Sequence, residues 1–404
     1  MERIAVFIER SGIDHNASVI NLIDFLADHF TIDLFLRDVA LTRSRVLAKE
    51  TVRIVEVKKR LTALAIWNQS KGLLKKLGKS YFQRTPVPGL PIRKRWSGRD
   101  VKAGFLATQY KCMIAFDPHG FLFCKEIYPQ AKPIYYSLEL YLKKDPPAPF
   151  YLRAAMRRFK KTLARERKLV KDINGLIIQS REREILFRAD HLLNEAVPSL
   201  ILPVTCRGPA VAEKSGHLHE RLKLAPEVKI ALHLGGMNYW FPCIEMARAI
   251  SGLDRWVLVF QGNHNREYLN LFRQAMSEEQ IKNAIVLDHY YDEMDDLDRV
   301  LMSCAIGIAW YNGLSANFLT AGMSSGKISA YLKFGLPVIA NRNPSTEEAV
   351  EKSGSGICIA DMNEMATAIT KICREYACFS ANARREYETR YRFENYHQPL
   401  LKFL

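Results

Sequence analysis

Short apolar runs separated by helix-patterned stretches constrain this chain more than any other feature. RIAVFIE (3–9) and TIDLFLRD (31–38) have the composition of buried strands, with a helical pattern from about Ala17 to His29 between them. CMIAFDP (112–118), KPIYYSL (132–138) and GLIIQS (175–180) continue the series, and RRFKKTLARERKLVKDI (157–173) reads as a helix before the last of these. Apolar runs alternating with helices fit parallel strands joined by crossover helices. The charged opening, MERIAVFIERSG, reads as a strand at a sheet edge and not as a signal peptide.

The pattern then restarts. A polar connector at about 211–226 precedes KIALHLGG (229–236), a strand ending in a glycine turn. A helix from about Phe241 to Ile250 follows, then strands at WVLVFQGN (256–263), AIVLDHY (284–290) and CAIGIAWY (304–311). A helix from Lys327 to Phe334 leads into PVIA (337–340), and GICIA (356–360) is a last short strand. A chain of 404 residues suits two domains at roughly 150 residues each. Two successive α/β units predict two Rossmann-like domains with a cleft between them, over 1–203 and 204–381.

Composition narrows the class. The hydrophobic fraction of 48% suits a full core, and no run reaches the roughly 18 apolar residues of a membrane span. Eight cysteines are scattered without a CxxC pair, which fits a reducing cytoplasm and gives no zinc spacing. The net charge of +16 is uneven: Leu41 to Asp100 holds sixteen Lys or Arg against three acids. Such a half implies an anionic partner, a membrane surface or nucleic acid. WNQSKGLLKKLGKSYF (67–82) mixes lysines with Trp67, Leu73, Leu74, Leu77 and Phe82. It reads either as an interfacial helix or as a solvated basic helix with an ordinary core face. TPVPGLPIRKRWSGRD (85–100) is the stretch with the strongest loop composition.

Ser324, Ser325, Gly326 and Lys327 stand at a predicted helix start. Serine caps free N–H groups there, and a helix N-terminus carries about half a positive charge that favours phosphate. Gly235 and Gly236 permit close backbone approach to a ligand. Gln261, Gly262 and Asn263 close the next strand, and Tyr290 and Tyr291 follow the one after, placed either beside a nucleobase or in the core. Glu347 follows PVIANRNPST.

SSGKISAYLKFGLPVIA (324–340) resembles a stretch of family-4-like glycosyltransferases of the GT-B fold, with Lys327, Tyr331, Gly335, Pro337, Val338 and Ile339 at matching positions. LHLGGM (232–237), VFQGN (259–263) and VLDHYYDEMDDLDRVLMSCAIGIAWY (286–311) are similar to further stretches of that family, as is GLIIQSRERE near the close of the first domain. The resemblance implies an N-terminal acceptor domain, a C-terminal nucleotide-sugar domain and a final helix at 382–404 crossing back. It implies that Gly235, Gly236, Gln261, Gly262, Asn263, Tyr290, Tyr291, Ser324, Ser325, Gly326, Lys327, Tyr331 and Glu347 form the donor site. Ala330 and Gly322 replace two glutamates that many members carry, which leaves more of the phosphate charge to Lys327. Gly12 and Glu139 fall on the acceptor side, and His119, Asp14 and His15 are the candidate catalytic groups. His119 sits in FDPHG beside Asp117.

The expected activity is sugar transfer from a nucleoside-diphosphate sugar to a glycan or lipid-linked acceptor in cell-surface polysaccharide synthesis. No metal or other cofactor is expected, since DEMDD (292–296) reads as a charged helix opening. The partners are then the donor, the acceptor and an anionic membrane face, with nucleic acid disfavoured and a cytoplasmic or membrane-peripheral location. A nucleotide-sugar epimerase and a non-catalytic anion-binding protein of the same fold are the alternatives.

Overall fold

The computed structural model describes residues 1–9, 16–37, 49–57, 94–96, 104–105, 108–145, 153–287, 294–313 and 315–404. Gly12, Asp14, His15, Tyr290, Tyr291 and the basic segment 67–82 lie outside the described residues.

Two parallel sheets carry the fold. The first has eight strands among the described residues: β1 (Arg3–Glu9), β2 (Thr31–Arg37), β3 (Val52–Val57), β4 (Lys94–Trp96), β5 (Cys112–Phe116), β6 (Ile134–Tyr136), β7 (Gly175–Ile178) and β8 (Ser199–Ile201). Their order is β4-β3-β2-β1-β5-β6-β7-β8. The second has six: β9 (Lys229–Leu234), β10 (Trp256–Gln261), β11 (Ala284–Leu287), β12 (Ile306–Ala309), β13 (Val338–Asn341) and β14 (Gly356–Ile359), in the order β11-β10-β9-β12-β13-β14. Helices cover both faces, which is why the strands read as continuous apolar runs with little alternation.

The opening strand is central, which corrects the edge reading. β1 pairs with β2 on one side and β5 on the other, and Ile4 to Ile8 are fully buried. Its flanking charges mark the ends of the strand, not a sheet edge. Glu9 is itself buried, with its carboxylate 3.6 Å from the Arg37 guanidinium. β3, β4 and β8 and the helices Asp117–Ile127, Arg181–His191 and Arg266–Glu278 were not foreseen.

The C-terminal segment returns to the first sheet, though not as one helix over 382–404. It runs as helix Tyr376–Glu386, a wide turn Tyr387–Tyr391, a tight turn Phe393–Tyr396 and helix His397–Phe403. Two buried tyrosines account for the break. Tyr387 Oη reaches the carbonyls of Cys206 (3.1 Å) and Gly208 (2.7 Å), and Tyr391 Oη donates to Gly322 O at 3.1 Å. Widening the helix by one residue per turn brings both rings inward at once. Leu400 then packs in the core of the first sheet, and the Phe403 ring lies where a side chain at Gly175 would be.

Candidate active site

Each sheet has one point where the chain reverses its direction of growth. In the second sheet it lies between β9 and β12, and in the first between β1 and β5. Ligands of open α/β sheets bind beyond the strand ends at such points.

Beyond β9, Gly235 takes φ +125 and Gly262, beyond β10, takes φ +154. The two turns touch. A Cβ on Gly236 would fall 1.8 Å from the Asn263 carbonyl oxygen, and one on Gly262 would fall 2.5 Å from the Gly235 backbone. Only glycine fits such a crossing. Gly235 N donates to Gln261 O at 2.7 Å, and Asn265 N donates to Met237 O at 2.9 Å. His264 adds a clamp, its Nδ1 accepting from Met237 N at 3.1 Å and its Nε2 donating to Leu287 O at 3.0 Å.

Lys327 faces this crossing from the helix Gly326–Lys333. Ser325 caps that helix, its Oγ accepting from Ile328 N at 3.3 Å and bonding the Tyr311 hydroxyl. The Lys327 Nζ lies 4.0 Å from the centroid of the Phe241 ring, 4.8 Å from that of Tyr311, and close to Gly235, where an added Cβ would sit 3.5 Å away. The residue as a whole is half-buried, but its Nζ is out of contact with water and has no hydrogen-bond partner. Burial pulls the amine down to about 7, with the Cys243 thiol pulling the other way. The two ring faces favour the charged amine by on the order of 1–2 kcal/mol, against the desolvation. The amine is an unsatisfied cation site at the crossing of two glycine turns and a helix start.

Beyond β5, Asp117 adopts the left-handed region at φ +52 as the helix Asp117–Ile127 begins. Its carboxylate accepts from Leu138 N (2.8 Å) and Glu139 N (3.1 Å). Burial, and then the Glu139 charge, push the carboxyl up to about 7. Glu139 is exposed, and partial desolvation raises its carboxyl while Arg183 opposes the rise. His119 is half-buried, with its ring 5.2 Å from that of Phe159.

Arg183 joins the two sides. It is 2% exposed on the helix Arg181–His191, whose N-cap is Ser180. Its guanidinium donates to Leu138 O at 3.0 Å, Thr320 Oγ1 at 3.1 Å, Gln179 Oε1 and Asn317 Oδ1. Leu138 and Gln179 belong to the first sheet's side, Asn317 and Thr320 to the second's. Asn317 Oδ1 also accepts from Leu140 N at 2.6 Å. The loop carrying Glu139 is thereby fixed from both sides.

Of the donor-side residues, the structure brings together Gly235, Gly236, Gly262, Asn263, Ser325, Gly326 and Lys327. Gln261 is buried at 2% and contributes its carbonyl to the turn. Ser324 donates its hydroxyl to Thr320 O at 2.9 Å, within its own turn. Glu347 is ion-paired with Arg342 at 2.9 Å. Tyr331 needs correction as a ligand contact. It is fully buried beneath the sheet, its Oη accepting from Leu234 N at 2.7 Å and donating to Leu232 O at 2.9 Å. A side chain on Gly307 would strike its ring at 2.3 Å. Tyr331 holds the end of β9 in place so that the glycine turn starts where it does. On the other side, His119, Asp117 and Glu139 share the β5 and β6 ends. Phe241, Tyr311 and Arg183 had no role assigned from sequence, and an arginine five residues after β7 carried no signal of its own.

Residues 250–389 match the sequence model of the glucosyltransferase 3-like C-terminal domain. The whole chain superposes on solved GT-B enzymes. HepE of Anabaena, solved with UDP and glucose, aligns with a TM-score of 0.67 at 13% identity, over 100% of this chain and 99% of that one. Sucrose-phosphate synthase of Thermosynechococcus elongatus aligns at 0.68 and 14%, over 100% and 98%. The chain has the GT-B fold. WaaG, a glycosyltransferase involved in lipopolysaccharide biosynthesis, aligns at 0.59 and 10% identity, over 98% and 99% of the two chains. No curated protein matches this chain in sequence. The paired sheets and the returning C-terminal segment are thus the GT-B architecture expected from the SSGKISAYLKFGLPVIA resemblance. Among the described residues no helix is long and apolar enough to cross a membrane.

Proposed function

We propose that this chain is a glycosyltransferase that takes its sugar from a nucleoside diphosphate, UDP being the first candidate, and passes it to a glycan or lipid-linked acceptor in polysaccharide assembly. UDP or a UDP-sugar accompanies several structures of the same fold, HepE with UDP-glucose among them. The observation that carries the reading is the unpartnered Lys327 Nζ at the crossing of the Gly235 and Gly262 turns. A leaving diphosphate gains charge as the glycosidic bond breaks, and a cation placed in advance in a dry site stabilises that charge strongly. The Ser325-capped helix start adds its N–H groups and dipole. Together these supply positive charge without a metal.

On the acceptor side, Asp117, His119 and Glu139 are the groups placed to hold or take the acceptor proton. Asp117, with its raised carboxyl, exchanges a proton near neutrality, where a general base or acid works best. Gly12, Asp14 and His15, outside the described residues, follow β1 in sequence and stay candidates for the acceptor side. The basic segment 41–100 would dock the enzyme on an anionic membrane, giving a peripheral cytoplasmic protein with access to a lipid-linked acceptor. The family match of residues 250–389 to glucosyltransferases favours transfer over epimerisation.

A thermal-shift screen against UDP-, GDP-, ADP- and CMP-sugars tests the donor reading. One nucleotide should raise the Tm by mass action, and Lys327→Ala should shrink that shift. A flat response to every nucleotide would rule the donor site out. Sedimentation with liposomes tests docking: equal pelleting on neutral and anionic lipid would remove the electrostatic account.

A further inference from the structure

A cavity of about 870 Å³ lies between the loop after β9, the end of β12 and the turn after β14. Phe241, whose ring packs on the Lys327 amine, forms one of its walls, but Lys327 itself does not line it. Tyr239 and Trp310 give it aromatic walls, and Asn312, Asp361 and Asn363 give it polar ones.

These walls are built in advance. Asn312 is tied to the opposite loop, its N donating to Trp240 O at 3.2 Å and its Nδ2 to Tyr239 O at 3.3 Å. The Tyr239 ring stands edge-on to Tyr268, with centroids 5.1 Å apart. Asp361 accepts from Asn363 N at 2.8 Å, and Glu364 accepts from the N–H groups of Ala360 and Asp361 at 3.1 Å each. A preformed site loses less entropy on binding.

Its charge decides the ligand class. Glu245 joins Asp361 as a second carboxylate, while Arg248 is engaged by both carboxylate oxygens of Glu279, with Nε at 3.0 and 2.8 Å. A wall rich in carboxylate with its cation occupied disfavours phosphates and other anions. Amides and carboxylates beside aromatic faces suit a ligand with many hydroxyls and an apolar C–H face. The volume falls in the range of small-molecule sites, about 300–1,000 Å³. We propose that this cavity binds a neutral oligosaccharide, apart from the nucleotide subsite. The inference rests on the glycosyltransferase reading only for why a glycan would be at hand.

The test is a calorimetric titration of the full chain with neutral gluco-, galacto- and manno-tetraoses, with and without saturating UDP. At least one should bind with a Kd on the order of 1 mM or tighter and change less than about threefold when UDP is present. Trp310→Ala and Asp361→Ala should each weaken it about tenfold, leaving UDP affinity and Tm near wild type. Asp361 is exposed, so its variant keeps the test open if Trp310→Ala loses stability. Failure of every tetraose to bind would overturn the proposal, as would displacement by UDP or wild-type binding by both variants. A chain that binds tetraose but no nucleotide would sink the donor reading and leave this one standing.

Discussion

The two halves of the molecule solve the same topological problem with different materials. Each sheet reverses growth at an interior strand and opens a crevice beyond it. In the second sheet the crevice is lined by backbone, with Gly235, Gly236 and Gly262 crossing at distances no side chain tolerates and one buried lysine supplying charge. In the first it is lined by side chains, with Asp117, His119 and Glu139 set by strand ends and by Arg183. A phosphate is recognised by N–H groups and positive charge whatever it carries, so glycines and a helix start suffice. An acceptor is recognised by its particular shape and proton chemistry, and that takes side chains.

Breaking the donor half should have the largest effect. Lys327→Met keeps the stem but removes the charge, and kcat should fall about 10²–10³-fold, as when a preorganised transition-state donor is lost. Turnover assayed with the nucleotide sugar found in the thermal-shift screen measures this, and a loss below tenfold would count against a catalytic lysine.

The joint between the halves comes next. Arg183→Met leaves the Leu138, Gln179 and Thr320 acceptors without this donor in a buried site, while Asn317 keeps only Leu140 N. That should cost on the order of 2–4 kcal/mol in urea unfolding and slow turnover as the Glu139 loop loosens. Unchanged stability would show that the arginine is not the pin described.

Asp117→Asn probes the acceptor half more gently. Asparagine tolerates the left-handed backbone, and its amide oxygen still accepts from Leu138 and Glu139. The folded carboxyl, pushed up to about 7, holds its proton more tightly than the unfolded one. The stability it contributes is present below the unfolded value and is lost as pH rises through about 7. The variant should therefore match wild-type Tm at pH 4 and exceed it at pH 8, while kcat drops about tenfold or more. A wild-type pH–rate profile in the variant would remove Asp117 from the chemistry.

Glu347→Gln should do least to the fold. Its ion pair with Arg342 is half-exposed and Arg342 keeps Glu351 at 2.8 Å, so stability should move by less than about 0.5 kcal/mol. A rise in donor KM without loss of stability would support its expected place beside the nucleotide, and an unmoved KM would remove it.

How much of this was readable in the sequence differs between the halves in the same way. KIALHLGG, VFQGN and SSGKISAYLKFG carry the glycine crossing and the capped helix start almost literally, because backbone requirements write themselves as glycines and a cap serine. Tyr331 was misread because its spacing from Lys327 fits a motif, while its burial depends on Gly307, in another strand. β1 was misplaced because strand composition does not say which neighbours will pair on either side. FDPHG marked the crevice of the first sheet, but the Asp117 carboxylate is held by the N–H groups of Leu138 and Glu139, twenty residues on, and its rise comes from burial and then the Glu139 charge. Arg183 gained its meaning only from Asn317 and Thr320, in the other half. Contacts between distant segments are what local pattern cannot contain.

The central claim is that Lys327 is the charge on which the donor diphosphate rests, and its protonation gives the most direct measurement. Burial has lowered the free amine to about 7. A bound diphosphate should raise it again, so binding takes up a proton at pH above 7 and affinity falls, by up to about tenfold per pH unit, until the bound-state value is passed. UDP titrations of wild type and Lys327→Met at pH 6.5 and 8.5, in two buffers of different ionisation enthalpy, read both quantities. Proton uptake at pH 8.5 and weakening between the two pH values, both absent in the variant, are the predicted result. Equal affinity of wild type and variant at pH 6.5 would contradict the account.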